Sequence, residues 1–317
     1  FALSAAYFTG NSPAPLALGD FTGDQRIDIA VGTFQMQTVA ILENDGAGGF
    51  TNPTTLATGP GPVAVLGADL NQDARVDLLS AEQLSGTLSV RLGAGAGLFG
   101  PLTAFPAGGS PASIAVGDLD ADGDGDAVLA LGNNGVGVLL ADGSGGFGAV
   151  TTFAAGSNVR DVVLLDLDGD LQLDAATADA GSSTVSILLG NGAGGFAPAT
   201  AFPVGPSPLA LALADFNGDG RLDLATADSG LYTTTVLLGD GAGGFSSSAA
   251  YLAAGGPGDI VAADFDRDGR CDLALTCWST NVISFLRGDG NGAFAAPFDL
   301  VASRPQALAT GDVDQDG

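Results

Sequence analysis

The sequence has no histidine and no lysine among its 317 residues, and only one tryptophan, one methionine and two cysteines. Without histidine the chain lacks the commonest general base, the commonest transition-metal ligand and the usual switch near neutral pH. Triad hydrolysis and zinc chemistry are therefore disfavoured, no catalytic constellation is recognisable, and no enzyme is expected. Positive charge is also scarce: nine arginines stand singly against 36 acidic residues, for a formal net charge of −27. So anionic a chain repels phosphate, and no basic patch offsets it, which argues against nucleic acid as a partner. No run of about 20 apolar residues occurs, so membrane insertion is not expected. The residues from Phe1 onward lack the basic-then-apolar order of a signal peptide, and the chain is expected to be a mature or trimmed product. Cys271 and Cys277 fall in one expected strand, roughly 20 Å apart at about 3.3 Å per residue, too far for a disulfide.

What is present is apolar, glycine-rich and periodic. A hydrophobic content of 46% is too high for disorder, and 317 residues can bury a substantial core. A short acidic loop begins at Asp20, Asp69, Asp118, Asp166, Asp215, Asp264 and Asp312, at intervals of 48 or 49 residues. A phenylalanine recurs in phase at Phe1, Phe50, Phe99, Phe147, Phe196, Phe245 and Phe294. A period of this length means radial or stacked supersecondary units. Apolar spacing of two throughout, with Gly and Pro breaking every longer run, selects strands over helices.

One unit shows the order. Pro208–Ala214 alternates large and small residues as strand A, the acidic loop follows, and Leu222–Ala227 is strand B. Thr234–Leu238 is strand C, and Asp240-Gly241-Ala242-Gly243-Gly244 supplies the positive φ of a tight hairpin into Phe245–Leu252, strand D. Proline opens most A strands, where a missing N–H is tolerated. Four antiparallel strands per unit describe a propeller blade. The expectation is an all-β, seven-bladed β-propeller forming a single domain over residues 1–317, with units starting near 1, 50, 99, 147, 196, 245 and 294. The seventh blade is expected to be incomplete, its D strand at Phe1–Phe8 closing with the A strand that precedes Asp312, and its B and C strands lying in a longer parent chain.

The loops place oxygen side chains at positions 1, 3, 5 and 9, which converge on one point when the loop curls, and position 7 offers its carbonyl. The seven sets are Asp20, Thr22, Asp24 and Asp28; Asp69, Asn71, Asp73 and Asp77; Asp118, Asp120, Asp122 and Asp126; Asp166, Asp168, Asp170 and Asp174; Asp215, Asn217, Asp219 and Asp223; Asp264, Asp266, Asp268 and Asp272; and the cut set Asp312, Asp314 and Asp316. All-oxygen donors favour a hard cation, and calcium tolerates the irregular geometry better than magnesium. These loops hold 25 of the 36 acidic residues, so most of the negative charge is expected ligand charge that would repel itself without cations. Leu171 and Ala74 stand where other loops have Gly, and the loop at Asp20 is expected to bind most weakly.

The run Asp-Phe-Asn-Gly-Asp-Gly-Arg-Leu-Asp at 215–223, followed by Leu-Ala-Thr-Ala and later Leu-Leu-Gly-Asp-Gly-Ala-Gly-Gly-Phe, resembles the FG-GAP (VCBS-like) repeats of integrin α-subunit propellers and bacterial surface proteins. The resemblance spans essentially the whole chain. It implies calcium in the A-to-B loops of one face and ligand binding on the opposite face, through the B-to-C and D-to-A turns. The same repeats occur in a sugar-binding fungal lectin, and calcium-bearing propellers occur in polysaccharide lyases.

Specificity is sought where one copy departs from its siblings. The B-to-C turns differ most, at Phe34-Gln35-Met36, Glu82-Gln83, Asn133-Asn134, Asp179, Asp228 with Tyr232, and Trp278-Ser279. Candidate ligand contacts are Phe34, Asn133, Asn134, Arg160, Tyr232 and Trp278, with Arg160 expected at the channel mouth where siblings carry Leu209 and Val63. Blander roles stand beside them: Trp278 as a packing residue, and Arg160 paired with Asp161. Arg287-Gly288-Asp289 is in register with ordinary turns, and Cys271 is expected to be an inert thiol. The expected function is a secreted or cell-surface, calcium-stabilised adhesion or recognition module for glycan or protein within a larger surface assembly. The alternatives are a lyase-like polysaccharide-degrading enzyme or a scaffold or filament subunit.

Overall fold

The computed structural model describes residues 6–10, 13–51, 53–132 and 135–311. Among them there is no helix, and the strands form six four-stranded antiparallel sheets plus a two-stranded hairpin over Gly93–Gly95 and Leu98–Phe99. Each large sheet runs A-B-C-D in spatial order. The A strands are Pro13–Gly19, Pro62–Ala68, Ser113–Gly117, Val159–Leu165, Pro208–Ala214 and Pro257–Ala263. They line the axis of a β-propeller.

Burial within a blade follows its radial position. B strands such as Asp77–Glu82 and Asp223–Asp228 are buried on both faces, because each blade is sandwiched between neighbours. Outer D strands such as Thr103–Pro106 and Thr200–Pro203 expose every residue except one, here Phe105 and Phe202. That residue meets the phased phenylalanine of the next unit edge-on. Phe105–Phe147, Phe153–Phe196, Phe202–Phe245 and Tyr251–Phe294 lie 5.4, 5.5, 5.2 and 5.5 Å apart, near perpendicular, the arrangement favoured by ring quadrupoles. The in-phase aromatic is thus the mortar between blades.

The ring has six four-stranded blades rather than the seven expected: residues 6–10 and 302–311 carry no strand. In every sheet A bonds only to B and D only to C, so an A and a D segment without B and C between them have no ladder partner. Residues 1–5 of the expected D strand lie outside the described residues. The remaining pieces still occupy the ring. Pro305–Leu308 join the six A strands around the axis, and Gly311 lies beside Leu18 and Ile27 of the first blade. Tyr7 packs on Phe50 at 5.7 Å and its hydroxyl oxygen accepts the Phe50 N–H at 2.9 Å, taking the place of a D-strand aromatic.

Candidate metal loops and recognition face

Each of the six described acidic loops is wound by its own first residue. Asp166 accepts the N–H groups of Gly169, Asp170 and Leu171 at 2.7, 3.1 and 2.9 Å, and Asp215 does the same for Gly218, Asp219 and Gly220. The curl needs a left-handed residue at positions 4 and 6. Where Gly is absent, Gln72, Ala121 and Arg267 take φ of 56°, 62° and 61° at position 4, and Gln25, Ala74 and Leu171 take 68°, 62° and 69° at position 6. Position 9 is a different kind of residue. Asp174 is buried, with Oδ2 accepting Leu167 N–H at 2.8 Å and Oδ1 accepting Gly190 N–H at 2.7 Å from the C-to-D turn. Asp77, Asp126, Asp223 and Asp272 form the same bracket, and Asp28 uses Thr22 and Asn44. Burial pushes all six carboxyls above their ordinary range, opposed by these backbone donors.

Among the described residues, three loops bring carboxylate oxygens to within 4.8 Å of one another: Asp118, Asp120 and Asp122; Asp166, Asp168 and Asp174; and Asp264, Asp266 and Asp272. That spacing suits oxygens sharing one ion at the 2.3–2.6 Å of calcium ligation. Asp120 Oδ1 is buried without a hydrogen-bond partner, as a metal-facing oxygen would be. In the loops at Asp69 and Asp215 the position-3 donor is an amide, and Asn71 and Asn217 donate to Asp73 and Asp219 at 3.4 and 3.2 Å. Asp20 and Asp24 meet Thr22 and Arg26, the last pairing with Asp24 at 3.3 Å. Arg270 likewise engages Asp268. Asp312, Asp314 and Asp316 lie outside the described residues.

The opposite face has a different chemistry. The segments 34–37, 83–86, 131–135, 180–183, 229–232 and 278–281 join B to C, and none contains a charged residue. The D-to-A segments at 58–61, 107–112, 154–158, 204–207 and 253–256 contain none either, and residues 302–311 after the last D strand add only Arg304. Instead the B-to-C turns expose Met36, Leu84, Leu231, Tyr232 and Trp278, and half-buried Phe34 lies with Leu84 over Gly61. These belong to the first, second, fifth and sixth blades. The fourth presents only Ala180-Gly181-Ser182-Ser183, and Asn133 and Asn134 of the third lie outside the described residues.

Arg160 is exposed at the axial mouth and, among the described residues, pairs with neither Asp161 nor any other acid. Asp161 instead stitches blades together, accepting Ser113 Oγ at 2.7 Å from the blade before and Leu211 N–H at 3.0 Å from the blade after. Asp259 accepts Leu308 N–H at 2.7 Å, and burial raises its pKa to about 6. Arg287-Gly288-Asp289 is a hairpin turn, with Arg287 bound to Asp266 at 3.3 Å. Burial pushes the Cys271 thiol up to about 11, and Cys277 is buried; both are free.

Glu82, Asp179 and Asp228, expected in turns, are instead the last residues of their B strands and fully buried. Each gathers hydroxyls. Glu82 takes Ser80, Thr87 and Ser89 at 2.6, 2.9 and 2.9 Å; Asp179 takes Thr177, Thr184 and Ser186 at 2.8, 3.1 and 2.6 Å; Asp228 takes Thr226, Thr233 and Thr235 at 2.7, 3.4 and 2.6 Å. The signal was available in the sequence: the third blade, with Leu131 at this register position, carries Leu129, Val136 and Val138 where the second, fourth and fifth blades carry hydroxyls.

Solved propellers share this architecture. An Agrocybe aegerita lectin, described as recognising non-reducing terminal N-acetylglucosamine, superposes with a TM-score of 0.64 at 19% identity over 94% of this chain and 82% of its own. A Lactobacillus plantarum protein gives 0.72 at 19% identity over 96% and 89%, and the virginiamycin B lyase of Staphylococcus aureus gives 0.65 at 12% over 96% and 91%. At such identities the likeness is one of fold. No protein of curated function matches the sequence. The repeat itself is matched by the FG-GAP-like repeat model at residues 20–80, 69–129, 166–226, 215–275 and 264–317, each span joining one acidic loop to the next, and the chain therefore belongs to the FG-GAP-like repeat family.

Proposed function

We propose that this propeller is a non-enzymatic recognition module, secreted or displayed at a cell surface, which binds calcium in its acidic loops and a glycan or protein ligand on the opposite, B-to-C face. The observation that carries this is the division of labour between the two ends. The loops and hairpins of one end are rich in exposed carboxylates, whereas the turns of the other end carry no acidic residue and present apolar and aromatic side chains, with Arg160 and the half-buried Asp161 and Asp259 at the axial mouth between them. Exposed aromatics rimmed by small polar residues are the usual composition of a recognition surface.

Calcium would be held by the carboxylates of the three trios, with the position-9 aspartates already tethered to both the loop and the C-to-D turn. It would supply neutralisation of converged negative charge and closure of the loop, which is folding free energy. Millimolar extracellular calcium fills even weak loops, which supports the location. Thermal unfolding with calcium, with magnesium and with chelator tests the metal half. A lower midpoint in chelator, restored by calcium, is expected; identical curves would remove calcium from the account.

A further inference from the structure

The mouth of the axial channel on the B-to-C face is a cavity of about 480 Å³, built from successive rings of A-strand side chains. The outer ring carries one charge, Arg160, where neighbouring blades present Val63, Ala112, Leu209 and Gly258. The second ring holds Asp161, Asp259 and Ser113. The third is aliphatic, with Leu16, Val65, Ile114 and Leu308, and the lining ends there. Trp278 reaches the same cavity from its turn. Its indole lies over two glycines, since a Cβ on Gly256 would come within 3.1 Å of Nε1 and one on Gly258 within 3.4 Å of Cδ1.

We propose that this cavity seats the carboxylate-bearing terminal sugar residue of an acidic glycan, one per propeller, between the Arg160 guanidinium and the Trp278 indole; the assignment rests on the recognition reading above and names its ligand. Arg160 is a planar fork of donors with no partner among the described residues, on a face without an exposed carboxylate in its turns, and such a fork matches a ligand carboxylate bidentately. Trp278 offers a flat apolar surface for the C–H face of a sugar ring and an N–H for a hydroxyl. Beneath them Asp161 and Asp259 are fixed acceptors. Asp161 is held by Ser113, Val162 and Leu211, and Asp259 by Ile260 and Leu308, at 2.7 to 3.0 Å, leaving lone pairs for sugar hydroxyls without rearrangement. The aliphatic third ring admits a chain end rather than a chain threading through. Because Arg160 and Trp278 each occur once, the ring's pseudo-symmetry does not multiply the site.

Titration of the calcium-loaded protein by calorimetry and by the fluorescence of its single tryptophan tests this, using a glucuronic acid-terminated tetrasaccharide and its glucose-terminated counterpart. One site per chain is expected, with a shift in Trp278 emission and a preference for the acidic end of about tenfold or more, the worth of one charge-assisted pair. Arg160→Gln should abolish the preference, Trp278→Leu should weaken both sugars, and Arg304→Gln, on the same face but outside the cavity, should leave them unchanged. Equal affinity for the neutral sugar, several sites per chain, no saturation by the acidic sugar, or an unaltered Arg160→Gln would each overturn the assignment. Binding of a neutral glycan or a protein that is lost in Tyr232→Ala but kept in Arg160→Gln would discard this ligand and keep the recognition reading. A surface inert to all of these would discard both.

Discussion

Replacing Asp228 by Leu measures how a buried carboxylate is held. Asp228 is fully buried and accepts Thr226 Oγ1 and Thr235 Oγ1 at 2.7 and 2.6 Å, both from buried threonines. Removing the acceptor leaves those hydroxyls without their charged partner. Each such buried donor costs about 1–3 kcal/mol, and Thr226 recovers part of the loss through its second acceptor, the Thr235 carbonyl at 3.4 Å. The single substitution should therefore destabilise by about 3 kcal/mol, a fall of roughly 6–12 °C in midpoint at 2–4 °C per kcal/mol. The protein contains its own control. At the same register the third blade has Leu129, Leu131, Val136 and Val138, all buried. The quadruple variant Thr226→Leu, Asp228→Leu, Thr233→Val and Thr235→Val copies that blade and removes the hydroxyl donors together with the acceptor, leaving the half-buried Gly205 N–H, which donates to Thr235 Oγ1 at 3.1 Å, without that partner. It should return to within about 1 kcal/mol of the parent, because replacing a whole buried network by apolar groups of similar shape is nearly neutral whereas breaking it is not. Scanning calorimetry in constant calcium reads both. If Asp228→Leu melts with the parent, or the quadruple variant melts no higher than the single one, the account of these clusters as all-or-none polar units is wrong.

Three further outcomes follow from the same geometry. Leu171→Gly should stabilise by about 1 kcal/mol in urea unfolding, because Leu171 is 92% exposed and held at φ 69°, where a side chain is penalised and glycine is not. Phe153→Ala should cost about 3 kcal/mol by removing the edge-on contact with Phe196, while Phe298→Ala should cost less, because Phe298, although stacked on Phe285 at 5.1 Å, is 48% exposed; chemical denaturation compares them. The pKa of Asp259 is raised by burial from 3.8 to about 6, so its neutral form favours folding at low pH, and this contribution is lost as pH rises from about 4 through 6. At 1.36 kcal/mol per pKa unit the loss approaches 3 kcal/mol, and the stability difference between the parent and Asp259→Asn should move in favour of Asn across that range. A difference independent of pH would show that Asp259 titrates normally.

Much of the architecture was legible because it is written many times. Strands A and D of the fifth unit, Pro208–Ala214 and Phe245–Leu252, fall where alternation and turn glycines put them, and strands B and C differ by about one residue at each end. The acidic loops were equally plain, since Asp recurs at positions 1 and 5 of every copy and Gly stands at position 4 or 6 of most. Blade number was misjudged for a physical reason: repeat counting registers A and D segments, but a sheet needs their B and C partners. Position 9 was grouped with the other ligands although its first duty is to bracket two turns. Glu82, Asp179 and Asp228 were placed in turns because they stand where the copies differ most, and only packing between blades shows them buried.

By itself the sequence determined the repeat, the strand order, the anionic loops and their all-oxygen donor sets, because these depend on local backbone preferences and on residues adjacent along the chain. Tertiary structure alone decided which carboxylates converge, that acids and uncharged turns occupy opposite ends, and that Arg160, Trp278 and Asp259, far apart along the chain, border one cavity. Those facts depend on how the blades are arranged about a common axis, a relation that no single repeat contains.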